Sequence, residues 1–159
     1  MSKENHYDIE RMAEICVCLI KNFGTDSLIK FLLDRLIRQE SDLISPLYKS
    51  TKVIELEEKF NVSLCGVSRR QLKGGKYKVL SKFVDLEHGL PESQAIKMFF
   101  KEPEKEKIKN ILIETKRNLV YITKEEHKKI GKGLRTKKKN GFYWEDIYKK
   151  NDISIVGNE

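Results

Sequence analysis

Three histidines stand in the 159-residue chain, and two of them, His88 and His127, directly follow a glutamate. His88 follows Glu87 in the run Asp85-Leu86-Glu87-His88-Gly89-Leu90-Pro91. His127 closes the run Asn118-Leu119-Val120-Tyr121-Ile122-Thr123-Lys124-Glu125-Glu126-His127. A neutral imidazole, with an unperturbed pKa of about 6.5, can take a proton from water at working pH. A carboxylate supplies the hard oxygen ligand that Mg²⁺ takes, and imidazole also admits Mn²⁺, Ni²⁺ or Zn²⁺. Side chains of these types suit hydrolysis assisted by a divalent ion. The plainer alternative makes His88 a surface residue before a proline turn and His127 a helix residue beside Lys128 and Lys129.

Both runs need strands and helices to hold them. Residues 76–86 are rich in β-formers and partly alternate, which predicts a strand leading into Glu87, with Gly74-Gly75 turning it back on residues 67–72. Pro91 suits the first position of a helix over 92–101, and Pro103 ends it. A second helix is predicted over 104–117, then a strand over 118–122. Thr123 with Glu126 three places on forms a capping box for a helix that Gly131 and Gly133 close. Upstream, Ile9, Met12, Ile15, Cys16, Leu19, Ile20 and Phe23 recur at helical spacing. Gly24 stops that helix, and Thr25 or Asp26 caps a second with Leu28, Ile29, Leu32, Leu33, Leu36 and Ile37 as its buried stripe. A third helix runs from Ser50-Thr51 to Phe60. Cys16 and Cys18 are expected in the core.

The paired runs resemble the HNH endonuclease family over roughly residues 76–135. Glu87-His88-x-x-Pro91 is similar to the acid-His element of that family's ββα-metal site. Asn118-Leu119 is similar to its second element, and His127 falls where its helical His falls. The resemblance implies Glu87 and His127 as ligands of one divalent ion, most readily Mg²⁺ with Mn²⁺ as substitute. It implies His88 as the general base and Asn118 as the residue that orients it. This chain departs from the pattern in using Glu for the usual Asp, in two helices between His88 and Asn118, and in lacking zinc-binding cysteines.

Charge gives an independent indication. The net charge is +8. Residues 1–100 carry 16 basic and 14 acidic side chains, whereas residues 101–150 carry 16 and 8. Within the first hundred, Arg69, Arg70, Lys73, Lys76, Lys78 and Lys82 precede the next acid, Asp85. Such stripes suit a polyanion, because each cation placed on a phosphate releases counterions. Arg69, Arg70, Lys73, Arg135, Lys137, Lys138 and Lys139 are the candidate nucleic-acid contacts. Residues 53–72 also look like a degenerate helix-turn-helix with Arg69-Arg70 toward DNA, against a plain helix leading into a basic strand. Trp144 and Tyr148, four apart, read as packing rather than base stacking.

Three cysteines without a Cys-x-x-Cys pair exclude a disulfide framework and a four-cysteine zinc site. No membrane span or signal peptide is legible, so a cytoplasmic protein is expected. The expectation is an α+β protein: a helical N-terminal region over 1–62, then an HNH-like module with a helical insertion and a basic C-terminal segment over 63–159. Its expected activity is metal-dependent hydrolysis of phosphodiesters in DNA, with RNA as the other substrate and a homodimer left open. The rival is a non-catalytic DNA-binding regulator or phage-type accessory protein that keeps a nuclease-like fold.

Overall fold

The computed structural model describes the backbone of residues 9–135 and 144–159, and their side chains apart from 131–135 and 144–145. The chain is a mixed α+β fold. Helices α1 (Ile9–Phe23) and α2 (Ser27–Ser41) lead into strand β1 (Tyr48–Ser50) and helix α3 (Thr51–Phe60). A single turn, α4 (Arg69–Leu72), a 3₁₀ helix (Gly75–Lys82) and strand β2 (Val84–His88) follow. Helices α5 (Glu92–Lys101) and α6 (Lys105–Arg117) intervene before strand β3 (Leu119–Thr123) and helix α7 (Lys124–Arg135). Helix α8 (Trp144–Lys150) and strand β4 (Ile155–Gly157) complete the order.

Local chemistry sets these boundaries. Gly24, at φ 84°, makes the left-handed turn between α1 and α2, and the Asp26 carboxylate accepts the Ile29 amide at 3.0 Å to begin α2. Ser50 caps α3, and Asn61, at φ 51°, ends it. Thr123 and Glu126 form the expected box: the Thr123 amide donates to Glu126 at 2.8 Å, and the Glu126 amide donates to the Thr123 hydroxyl at 3.2 Å.

The four strands lie in the order β2-β3-β1-β4. β2 and β4 run antiparallel to their neighbours, and β1 runs parallel to β3. Pairing of Asp85 with Ile122 and Glu87 with Val120 puts both acids on the face that α7 and α8 cover. The opposite face buries Leu86, Leu119 and Tyr121 with α3, α4 and the 3₁₀ helix. A third core joins α1 and α2 to α5 and α6, through Cys16, Leu33, Ile96, Phe99, Ile108 and Leu112. The helices between His88 and Asn118 thus complete the N-terminal helical layer, and Glu40 on α2 pairs with Lys116 on α6. Each fully buried Leu or Ile contributes about 1.5–3 kcal/mol to its core.

Several expectations are corrected. Residues 75–82 form a 3₁₀ helix rather than a strand, because Tyr77 and Leu80, three apart, share an inner row at that pitch. Residues 69–72 are helical, so no hairpin forms with them, and one turn is too short for a recognition helix. Leu28 and Leu32 are exposed, as is Cys18, while Cys16 is buried. β1 and β4 were not anticipated; each is only three residues long. Tyr148 is buried against Ile130 and Ile153. The side chains of Arg135, Lys137, Lys138, Lys139 and Trp144 lie outside the described residues.

Candidate functional site

β2 is an edge strand, and its two acids meet one imidazole. The His127 Nδ1 atom lies 2.8 Å from Asp85 Oδ2, and its Nε2 atom lies 3.1 Å from Glu87 Oε2. Asp85 and Glu87 are two apart on a strand and so share a face. His127 comes over them because the capping box fixes where α7 starts. Ser50 on β1 reinforces that start by donating its hydroxyl to Glu126 at 2.6 Å, and the Lys124 amide donates to the Phe83 carbonyl at 2.7 Å.

Asp85 also faces Arg69, 3.4 Å away, and Arg69 lies 3.2 Å from Asp42 at the end of α2. Burial opposes the charge of the Asp85 carboxylate, but His127 and Arg69 outweigh it and hold its pKa below the usual range. Arg69 is therefore an internal tie between α2 and β2, whereas Arg70 beside it is exposed.

His88 occupies different ground. The alternation of β2 turns it away from Glu87, opposite Leu119. Its Nδ1 atom lies 3.3 Å from Glu92, which Arg38 approaches at 3.4 Å. Its Nε2 atom is buried without a hydrogen-bond partner among the described residues. Burial lowers the His88 pKa, against the opposing pull of Glu92. Asn118 donates its side-chain amide to the Glu114 carbonyl at 2.7 Å, and its own carbonyl accepts the Gly89 amide at 2.8 Å. Asn118 thus closes the strand pair through its backbone, with its side chain engaged on α6.

Of the residues singled out in the sequence, Glu87 and His127 come together, while His88 and Asn118 belong to the junction with the helical layer. The roles of Asp85, Arg69 and Asp42 were not foreseen from sequence. Asp85-x-Glu87 on a strand was the available signal for the first; Arg69 and Asp42 are 27 residues apart, with no local signal. As arranged, the donor atoms of Asp85, Glu87 and His127 point at one another and not at a common point. Among the described residues no group of three or more His, Cys, Asp or Glu side chains is set to hold a metal ion.

A separate surface carries the exposed cations. Three residues per turn bring Tyr77 and Leu80 inward, leaving Lys76, Lys78 and Lys82 to water, with Arg70 and Lys73 exposed just before them. Lys76 also sits 5.2 Å over the Tyr77 ring. Among the described residues none of these five cations has an ion-pair partner. No protein-family model, curated protein or solved structure matches the chain.

Proposed function

We propose that the protein binds nucleic acid through the exposed basic face of α4 and the 3₁₀ helix. One observation carries this reading: Arg70, Lys73, Lys76, Lys78 and Lys82 are all exposed within 13 residues that hold no acid. Unpaired cations so spaced can each meet a phosphate, and counterion release then supplies affinity without sequence readout. The protein acts in this reading as a binding module of the regulator or accessory class. Fluorescence anisotropy with labelled duplex DNA and single-stranded RNA tests it, and affinity should fall steeply as salt rises. Affinity indifferent to salt would contradict it.

A second reading, hydrolysis of the bound phosphodiester, is favoured by one specific observation. β2, its antiparallel partner β3 and the following α7 bring Glu87 and His127 to 3.1 Å, in the order that the HNH resemblance implies. Loading with Mg²⁺ or Mn²⁺ would require His127 to give up its carboxylate partners, and His88 faces away from that point. Plasmid nicking that appears with either ion and is lost in both Glu87→Gln and His127→Ala would establish this reading. No nicking with either ion, alongside tight binding, leaves the binding module alone.

A further inference from the structure

Phe83 stands between the 3₁₀ helix and β2 and is 42% exposed. Its ring stacks on that of Phe60 at the end of α3, with centroids 5.5 Å apart and planes 22° from parallel. Phe60 packs on the core beneath, so one face of Phe83 rests on a fixed ring and its exposure falls on the opposite face and rim. Cations adjoin both rings: Lys59 lies 5.6 Å over Phe60, and the exposed Lys82 immediately precedes Phe83. At about 2 Å per residue, Lys76 and Lys78 lie within about 12 Å of Lys82 along the 3₁₀ helix. From Lys59 to Val84 the chain holds no Asp or Glu. The exposed acids of α3, Glu55 and Glu58, lie about 140–160° round the helix from Phe60. Asp42 and Asp85, which reach the run through the fold, are both engaged by Arg69. Where α7 begins beside the Phe83 carbonyl, Lys124 and Glu125 offset one another.

We propose that the Phe83 ring stacks on an unpaired base, so that the basic face binds single-stranded nucleic acid in preference to duplex. The inference rests on that face binding nucleic acid at all, and it names the form of the ligand. Every base has a π face, and a ring held at the surface beside cations can stack on one while the cations meet neighbouring phosphates. A duplex keeps its bases stacked on one another and shows only their edges in the grooves. Reading those edges takes a helix or a two-stranded ribbon set into the groove. The basic face offers neither: α4 is a single turn, and a short 3₁₀ helix follows it. An apolar side chain of a protein partner could cover the ring but would leave the cations around it unmatched.

Anisotropy of the full chain with labelled oligomers of about 16 nucleotides tests it. The probes are a thymidylate strand, a uridylate strand, an abasic strand with the same number of phosphates, and a mixed-sequence duplex. At one fixed salt, wild type should bind a strand that carries bases at least about 5-fold tighter than the abasic one, since a stacked base is worth about 5- to 150-fold. A gain on only one of the two sugars would still support the stacking and would name its strand. Phe83→Ala should abolish the gain and leave affinity for the abasic strand and the duplex unchanged. Phe83→Leu keeps an apolar contact on Phe60 without a π face, so it should lose the gain too, and it decides the matter if circular dichroism shows the alanine variant unfolded. Phe83→Trp should bind at least as tightly as wild type. With salt raised to about 0.2 M to screen the phosphate contribution, the strand should outcompete the duplex. Base-bearing strands that bind no tighter than the abasic one, a gain that survives Phe83→Leu, or a duplex that outcompetes the strand would each overturn the proposal. Those results leave the basic face standing if changing Lys73, Lys76, Lys78 and Lys82 to Gln still weakens binding to every probe. No loss in that variant would fault the face itself, and the stacking with it.

Discussion

Only a tenth of the His88 side chain reaches water, and the cost of charging it there lowers its pKa although Glu92 pulls the other way. In the unfolded chain the same imidazole titrates at about 6.5. Below that pH the unfolded state binds a proton that the folded state refuses, so stability is full above the unfolded value and declines as pH falls toward the folded one. One such group changes stability by at most about 1.4 kcal/mol per pH unit. Thermal unfolding followed from neutral pH to pH ~5 should therefore show a declining midpoint, and His88→Leu should flatten that decline. Superimposable pH profiles for the two proteins would show that His88 is not held neutral. Asp85 acts at lower pH with the same sign: its depressed pKa adds stability above the ordinary carboxylate range, lost as pH falls through the folded value.

Helix α7 was legible because its start is chemically local: Thr123 and Glu126 satisfy each other's backbone amides within one turn. The 3₁₀ helix was not, since Tyr77, Val79 and the lysines around them have strand-like composition, and the inward turn of Tyr77 and Leu80 depends on the core beneath. β1 was missed for a similar reason. Its Lys49 is buried, which no pattern of apolar residues announces, and is held 2.8 Å from Glu57 on α3. Glu57 also accepts the Leu64 amide at 2.5 Å, tying the loop after α3 to the same pair. Lys49→Met should strand the Glu57 charge and cost about 3–5 kcal/mol. Adding Glu57→Gln, which keeps an acceptor for Leu64, should recover at least about 1 kcal/mol of that loss. Chemical denaturation measures both, and additive losses would mean the two side chains do not act as a pair.

At the scale of the molecule, the helices between His88 and Asn118 were visible as segments but not as partners of α1 and α2, because that packing joins residues about eighty positions apart. The same layer places Glu92 and Arg38 around His88, so the adjacent Glu87 and His88 serve different surroundings. Local sequence showed both residues, and only the pleat and the helical layer separate them. The exposure of Arg70, Lys73, Lys76, Lys78 and Lys82, by contrast, could be read directly, because such cations reach water without a packing partner, whereas Arg69 in the same run turned inward to Asp42 and Asp85. In the proposed function the α4 and 3₁₀ face grips a phosphate backbone. Its most direct measurement is the salt dependence of binding to a labelled duplex, for wild type and for the variant with Lys73, Lys76, Lys78 and Lys82 all changed to Gln. With four cations withdrawn from phosphates, the slope of log K against log salt should become shallower by about 3–4. Equal slopes for the two proteins, or a shallower slope only when Lys137, Lys138 and Lys139 are neutralised instead, would rule this face out as the phosphate contact.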